Sequence, residues 1–266
     1  MTDVKPLALV TGASSGIGLE LARQLAERGY DLVVNAEEDT GLQQAALEIR
    51  TSGTAVHTVQ ADLRDYDGVE RLVTTVAATG RPLDVAVLNA GVGRGGAFTD
   101  TDLADELGIV DLNVRSTVHL TKRVVRDMAA RDEGRILITS SIASTMPGSY
   151  QAVYNASKSF LQSFTLALQN ELKDTRVTLT SLMPGPTDTD FFHRADMDDT
   201  KVGRSDKDDP AQVAHQGLDA LFAGQDKVVA GSAKTKARGL ADKVLPDRLK
   251  SEAHRRMAEP GSGDAT

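Results

Sequence analysis

The sequence predicts an α/β fold, a doubly wound parallel sheet of about seven strands with helices on both faces. The strand candidates are short and nearly unbroken apolar runs, which is typical of strands covered by helices on both sides. Stretches with helical periodicity separate these runs, as the crossover between parallel strands requires. A chain of 266 residues is long enough for one domain of this kind.

The elements alternate along the chain. The strand candidates cover residues 7–10, 32–34, 56–59, 85–88, 135–139, 177–182 and 227–229. Between them, Ile17, Leu21 and Leu25 share one helical face, as do Leu42, Ala46 and Ile49. Longer helical patterns cover residues 66–79, 102–131 and 151–173.

Two C-terminal regions depart from this alternation. Residues 193–210 are polar and charged, and we expect them to form a mobile loop or lid. Residues 234–257 are basic, and their apolar residues Leu240, Val244, Leu245 and Leu249 recur at helical spacing, with Pro246 predicted to split the run into two helices. We therefore predict a catalytic domain over residues 1–231, a helical appendage over 232–258 and a disordered tail over 259–266. The appendage is interpreted as a solvated element packed on its apolar face, with a subunit contact or a membrane-surface helix as alternatives.

Composition excludes several classes of function. The chain has 30 Lys and Arg against 38 Asp and Glu, a net charge of −8, which argues against nucleic-acid binding. The absence of cysteine excludes disulfides and thiolate metal sites, and we predict no metal site. Residues 1–6 lack the features of a leader, and no apolar run approaches the roughly 18 residues of a membrane span. We expect a cytoplasmic protein without a transmembrane segment.

The stretch Gly12-Ala13-Ser14-Ser15-Gly16 is open to two interpretations. It fits the G-x-S-x-G elbow of a serine hydrolase, which requires an oxyanion loop after an earlier strand. The printed sequence has 13 residues before Ser14, so we do not expect such a loop. The possible bases, His193, His215 and His254, lie in polar surface patterns, where we expect them to be solvated.

The same stretch fits a dinucleotide-binding loop of a Rossmann-type fold better. Gly12 permits a tight turn, Gly16 lets the backbone approach a phosphate, and Gly18 lets the following helix pack on the strand. The N-terminus of that helix offers free N–H groups and a positive dipole end to a diphosphate. The spacing is G-x-x-x-G-x-G, not G-x-G-x-x-G, because Leu21 occupies the position of the third glycine.

A second group of residues, Tyr154, Lys158 and Ser141, is suited to acid–base chemistry. Tyr154 and Lys158 are four residues apart and share one face of a predicted helix. A phenol with a pKa near 10 is a poor proton shuttle at neutral pH, and a neighbouring ammonium lowers that pKa. Ser141 lies 13 residues earlier, just after the fifth strand candidate.

Four strand candidates end in polar or glycine-rich residues. These are the glycine loop, Asn89-Ala90-Gly91, Ser140-Ser141 and Pro184-Gly185. Because ligands bind at the carboxyl ends of parallel strands, we expect one cleft for a nucleotide and a substrate at this edge.

With these motifs in order, the chain resembles the short-chain dehydrogenase/reductase family, in its compact single-domain branch, over residues 5–231. The matching residues are Thr11 to Gly18, Asp62-Leu63, Asn89-Ala90-Gly91, Asn113, Ser141, Tyr154 with Lys158, and Pro184-Gly185 with Thr189. The resemblance implies an NAD(P)-dependent oxidoreductase that interconverts a ketone or aldehyde and an alcohol by hydride transfer.

The resemblance also implies catalytic roles. Tyr154 would be the general acid or base, and Ser141 would hydrogen-bond the substrate oxygen. Lys158 would bind the nicotinamide ribose and lower the pKa of Tyr154. Asn113 would hold a water of a proton relay, unless its amide simply bonds its own helix backbone.

Other residues would bind the cofactor. Thr11 and Gly12, Ser14, Gly16, Ile17 and Gly18 would surround its ribose and phosphates, whereas Asp62 and Leu63 would contact adenine. Asn89, Ala90 and Gly91 would line the adenine ribose, and Pro184, Gly185, Thr187 and Thr189 would position the carboxamide.

The second strand ends close to Glu37 and Glu38, about 20 residues after Gly18, where an acidic ribose partner is expected. Two carboxylates near a 2′-phosphate cost Coulomb energy, so we expect NAD(H) to be favoured over NADP(H). The Asp that NAD-users of the family often carry at the position of Ala36 is absent.

The substrate is not identified by the sequence. Phe191, Phe192 and Met197 are predicted to contact it, and Thr145 and Met146 to line the entrance. The resemblance implies a homodimer or homotetramer built on the helices over residues 102–131 and 151–173. One alternative is a nucleotide-sensing or scaffold protein that lacks the chemistry. A sugar-nucleotide epimerase or dehydratase would need a larger substrate domain.

Overall fold

The computed structural model describes residues 4–241 and 246–264, and its sheet confirms the predicted fold class. Within these residues, seven strands form one parallel sheet in the order β3-β2-β1-β4-β5-β6-β7. The strands are β1 (Leu7–Thr11), β2 (Asp31–Ala36), β3 (Val56–Gln60), β4 (Val85–Leu88), β5 (Gly134–Thr139), β6 (Val177–Pro184) and β7 (Lys227–Ala230).

Helices cover both faces of the sheet. They are α1 (Gly16–Glu27), α2 (Asp39–Arg50), α3 (Tyr66–Ala78), α4 (Leu103–Ile109), α5 (Thr117–Arg131), α6 (Ala152–Glu171), α7 (Phe191–Arg194), α8 (Lys201–Arg204), α9 (Pro210–Phe222), α10 (Ala233–Ala241) and α11 (Asp247–Ala258). One apolar cluster joins the sheet to α1, α2 and α9, and a second joins it to α3, α5 and α6. Leu9 and Val10 lie in different clusters because successive strand residues face opposite sides.

The strand order reverses at β1. The chain runs from β1 outward through β2 to β3, and then returns to place β4 on the other side of β1. Loops leaving β1 and β4 therefore diverge to opposite faces, which opens a crevice at the carboxyl ends of these strands. This crevice is where the sequence predicted a cleft.

The helix predicted over residues 102–131 is interrupted. A π-helical segment, Val110–Ser116, lies between α4 and α5 and contains Asn113. The sequence periodicity does not reveal this change, because the helices on both sides of the segment, α4 and α5, each keep a buried apolar face. Such π-helical segments are frequent at functional sites.

Residues 193–210 are not simply a polar loop. They include the end of α7 and all of α8, and Met197 and Thr200 among them are buried. Met197 packs with Phe192, Ala195 and Ala258 in a small third cluster. The helix α9, which follows this region, was also missed by the sequence patterns.

The C-terminal region forms the two predicted helices, α10 and α11, and Pro246 stands at the N-cap of the second. Val244 and Leu245 lie outside the described residues. In the predicted tail, Ser262–Asp264 form a 3-10 helix, and the Gly261 N–H donates to Asp199 at 2.7 Å. The division of the chain at residue 231 and the disorder of its end stay predictions.

Among the described helices, we find none with both the length and the apolar composition of a membrane span.

Candidate active site

One cleft at the carboxyl edge of the sheet collects most of the predicted site residues. Those that line it are Gly12, Ser14, Gly16, Ile17, Gly18, Glu37, Asp62, Leu63, Asn89, Ala90, Gly91, Ser141, Tyr154, Lys158, Pro184, Gly185, Thr187 and Thr189. Most of them follow the ends of the six strands β1 to β6, whereas Tyr154 and Lys158 come from α6. Thr11 and Asn113 do not line the cleft and lie behind its wall.

The glycine loop is shaped for close approach of backbone to a ligand. Gly12 and Gly16 have φ of 65° and 56°, in the left-handed region that favours glycine. A Cβ on Gly18 would lie 2.0 Å from the Gly12 carbonyl oxygen, so only glycine lets α1 pack this close to β1. At the N-terminus of α1, Ser15 makes no side-chain cap and the first turn has no acidic residue. These features fit the diphosphate of a dinucleotide, which takes free N–H groups and a positive dipole end.

Thr11 and Asn89 hold this loop against the neighbouring strands. The Thr11 hydroxyl oxygen accepts hydrogen bonds from the N–H groups of Asn89 and Ala90, both at 3.0 Å. The Asn89 amide donates to the carbonyls of Thr11 and Gly12, and its oxygen accepts from Thr139 at 3.1 Å. Thr11, predicted as a cofactor contact, therefore ties β1 to the loop after β4.

Ser141, Tyr154 and Lys158 meet on the opposite wall. Ser141 follows β5, and its hydroxyl accepts from the Ala143 N–H at 3.1 Å and donates to the Pro184 carbonyl at 3.5 Å. The Lys158 Nζ is buried and donates to the Thr139 carbonyl at 2.9 Å. It lies 5.8 Å from the centre of the Tyr154 ring. The geometry brings together a phenol, a hydroxyl group and a cation.

The predicted direction of the Tyr154 pKa is wrong for this structure. Burial raises the pKa of Tyr154 to about 12, and the hydrogen bond with Ser141 opposes this only in part. Burial also lowers the pKa of Lys158 to about 8. Desolvation therefore outweighs the attraction that the i, i+4 pair predicts.

Asn113 braces the cleft from behind. Its side-chain oxygen accepts from the Val92 N–H, and its Nδ2 donates to the Val92 carbonyl, both at 2.9 Å. Nδ2 also donates to the Ser157 hydroxyl at 3.0 Å. The side chain thus bonds the loop after β4 and α6, and the alternative of a bond to its own helix backbone is wrong. Its part in a proton relay stays a prediction.

The Glu37 end of the cleft holds a cation that the sequence patterns missed. Arg64 pairs with Glu37 and also with Asp62, whose two oxygens lie 3.0 Å from the Arg64 Nε. The signal was present, because Arg64 directly follows the Asp62-Leu63 motif. The two acidic groups thus share one partly exposed guanidinium.

The walls on the Tyr154 side differ from the prediction in several places. Phe191 and Phe192 line the cleft as predicted, and the Phe191 ring centre lies 5.2 Å from that of Tyr154. Met146 also lines it, but Thr145 and the fully buried Met197 do not.

Two lining residues come from the C-terminal helices. Arg238 on α10 and His254 on α11 both line the cleft. The prediction of a solvated His254 is wrong, because its side chain is buried and its Nδ1 lies 3.0 Å from the Ser149 carbonyl. His193 and His215 are exposed and pair with Asp198 and Asp219. The C-terminal helices are therefore part of the cleft wall as well as a packed appendage.

Comparison with known proteins agrees with this geometry. A family model described as short chain dehydrogenase matches residues 6–200. A 3-oxoacyl-(acyl-carrier-protein) reductase of Synechocystis sp. is 36% identical over 186 residues, covering 70% of this chain and 75% of the relative. Sulfoacetaldehyde reductase 2 of Chromohalobacter salexigens is 32% identical over 193 residues, covering 72% and 75%. A short-chain dehydrogenase from Sphingobium yanoikuyae in complex with NADPH superposes with a TM-score of 0.79 at 25% identity, covering 91% and 96%.

The lowered pKa of Lys158 predicts a pH-dependent stability. Between pH 8 and the ordinary lysine value of 10.5, the folded state binds fewer protons at this site than the unfolded state. The free energy of unfolding should therefore rise with pH from about 8 to 10, by at most about 1.4 kcal/mol per pH unit. Urea unfolding of the wild type and of Lys158→Met at several pH values measures this. A wild-type slope equal to that of the variant would contradict the buried, destabilised ammonium.

Proposed function

The chain belongs to the short-chain dehydrogenase family, and we propose that it interconverts a ketone or aldehyde and the corresponding alcohol, with Tyr154 as general acid or base. Membership makes it an NAD(P)-dependent oxidoreductase that acts on CH–OH groups. The observation that carries the proposal is the meeting of Ser141, Tyr154 and Lys158 opposite the glycine loop in one cleft. When bound there, the nicotinamide dinucleotide supplies or accepts the hydride.

Tyr154 provides the proton. With its pKa raised to about 12, its hydroxyl is protonated at neutral pH and can donate to a carbonyl oxygen. The Ser141 hydroxyl lines the same cleft as Tyr154 and would donate to the same oxygen, stabilising its developing charge. The Phe191 ring beside Tyr154 covers the apolar side of the site and keeps water from the reacting groups.

Lys158 supplies a fixed positive charge to this wall. Its Nζ is held by the Thr139 carbonyl, and a Cβ on Gly91 would lie 3.2 Å from it. The absence of a side chain at Gly91 therefore leaves room next to the ammonium. This placement supports the predicted role of Lys158 in binding ribose hydroxyls.

We also propose that NAD(H) is favoured over NADP(H). Glu37 follows β2 and lines the cleft, and the lining residues of the glycine loop include no cation. Arg64, the cation nearest to Glu37, is already engaged by Glu37 and Asp62, so its charge is largely neutralised. A 2′-phosphate here would meet net negative charge.

A homodimer or homotetramer is the assembly that we propose. Leu103, Leu107 and Val110 form an exposed apolar stripe at helical spacing on α4 and the segment after it. Phe160 on α6 is also 41% exposed. A second copy of the chain covering these residues would remove a contiguous apolar face from water.

Tyr154→Phe should lower kcat/KM for carbonyl reduction by about 10²–10⁴-fold, because it removes the proton donor and little else. Cofactor affinity, measured by nicotinamide fluorescence, should stay near the wild-type value. Tyr66→Phe, a change at an exposed tyrosine of α3, is the matched control. Retained activity of Tyr154→Phe would refute the assignment, whereas a wild type that binds cofactor but reduces nothing in a broad carbonyl panel would favour the sensor.

Initial rates with NADH and NADPH test the cofactor proposal. We expect kcat/KM to be higher with NADH than with NADPH. Glu37→Gln should lower the ratio of the two kcat/KM values by about ten-fold, because it removes the charge of one carboxylate. Glu27→Gln, at an exposed position of α1, should leave the ratio unchanged. A wild-type preference for NADPH would overturn the charge argument.

Sedimentation velocity tests the assembly. The wild type should sediment as a dimer or larger at micromolar concentration, and Leu107→Lys should shift it toward the monomer because a charge enters the apolar contact. Leu47→Lys, at a similarly exposed leucine on α2, is the control and should not change the distribution. A monomeric wild type would contradict the proposal.

A further inference from the structure

The two ends of the cleft differ in charge. Among the described residues, the acidic side chains that line it are Glu37, Glu38 and Asp62, all at the ends of β2 and β3. On the Tyr154 side the ionisable residues at the outer wall are Arg194, Arg238 and His254. The far end of the substrate space therefore carries cationic and imidazole groups without a lining carboxylate.

Arg238 has no carboxylate partner in the part of the chain that the structure describes. Its side chain is partly buried, and its Nη2 donates to the Met257 sulfur at 3.0 Å. No carboxylate of the described residues pairs with it, in contrast to Arg81, which pairs with Asp31 at 2.8 Å. A partly desolvated guanidinium beside a weak thioether acceptor is costly unless an anionic ligand completes it.

His254 adds a second, independent observation. The carbonyl of Ser149 accepts from its Nδ1–H, which leaves Nε2 without a hydrogen-bond partner among the described residues. The side chain is only 7% exposed and lines the cleft. Burial lowers the pKa of His254, and the charge of Arg238 acts in the same direction. His254 is on the same helix as Met257, whose sulfur Arg238 contacts.

Hydrogen bonds fix the helix α11 relative to the segment before α6. The Ser149 hydroxyl donates to the Ser251 carbonyl at 3.4 Å, and the Tyr150 hydroxyl donates to Glu259 at 2.8 Å. Ser149 and Tyr150 immediately precede α6, which carries Tyr154. The position of α11 is thus tied to the segment that places the proton donor.

We propose that Arg238 determines specificity by binding an anionic group of the substrate. The substrate class is then a ketone or aldehyde whose apolar segment ends in a carboxylate or a phosphoryl group. The apolar lining residues Ile142, Met146 and Val202 fit that segment, and Arg238 takes its charged end. This inference rests on the proposed function, because it assumes that the carbonyl lies at Tyr154.

Calorimetric binding tests the proposal without turnover. The wild-type protein is saturated with NAD⁺ and titrated with oxo carboxylates from 3-oxobutanoate to 7-oxooctanoate. No turnover occurs, because an oxo acid of this series cannot give up a hydride to NAD⁺. Each acid is compared with its methyl ester, and the titrations are repeated without cofactor. We expect at least one acid to bind about ten-fold or more tightly than its ester, as a charge-assisted hydrogen bond predicts. A series of oxoalkyl phosphonates and their dimethyl esters distinguishes a phosphoryl group from a carboxylate.

Variants assign the effect to Arg238. Arg238→Met should abolish the preference for acid over ester while leaving ester affinity unchanged, and Arg238→Lys should retain part of it. Lys236→Met removes an equal charge from an exposed position of α10 outside the cleft and is the control. Melting temperatures show which variants fold. If Arg238→Met does not fold, the partial loss of acid preference expected for Arg238→Lys provides the test.

The outcomes separate this inference from the proposed function. Equal affinity of wild type for acids and esters in both series, or equal weakening of both by Arg238→Met, would overturn the role of Arg238. Reduction of neutral ketones by the same preparation would then leave the proposed function intact. Failure to reduce any carbonyl, with acid preference retained in the titrations, would overturn the proposed function and the carbonyl substrate class, and would leave only the binding of an anion by Arg238.

Discussion

The close packing at the end of β1 is the constraint on which the site depends. Gly18 lets α1 approach the Gly12 carbonyl, and the Thr11 hydroxyl receives two backbone N–H groups from the loop after β4. Asn89 extends this contact to Thr139 at the end of β5. Three strands are thereby held with their carboxyl ends aligned, so the nucleotide loop and the catalytic wall face each other at a defined separation.

Burial sets the chemistry of the catalytic wall. Desolvation moves Tyr154 and Lys158 in opposite directions on the pH scale, toward a protonated phenol and a less strongly protonated amine. The Thr139 carbonyl accepts a hydrogen bond from the buried Lys158 ammonium, and the Ser141 hydroxyl partly offsets the effect of burial on the pKa of Tyr154. The burial that shifts the pKa values of these two groups therefore also lowers the stability of the folded state.

Sequence patterns predicted what depends on local spacing and strand ends. The seven strands and the placing of the glycine loop and Ser141 at one edge follow from periodicity and from the geometry of parallel sheets. The joining of Ser141 with Tyr154 and Lys158 in one site was implied by the resemblance to the short-chain dehydrogenases. The π-helical segment at Asn113 was not predicted, because a register change inside a helix preserves the apolar pattern on both sides. The pKa direction of Tyr154 was wrong because burial is a tertiary property that the i, i+4 spacing does not contain. His254 was misplaced for the same reason, since its neighbours in sequence are polar while its environment comes from the loop before α6.

Two of the outer lining residues, Arg238 and His254, lie beyond residue 200, where the match to the family model ends. The chemistry and the outer wall are thus encoded in separate parts of the chain, joined in space by the contacts of Ser149 and Tyr150. Because of this division, a substitution on α10 or α11 could reshape the outer wall of the cleft while the glycine loop and the wall that carries Tyr154 keep their sequence. The C-terminal helices are in this sense a separately encoded wall of the cleft.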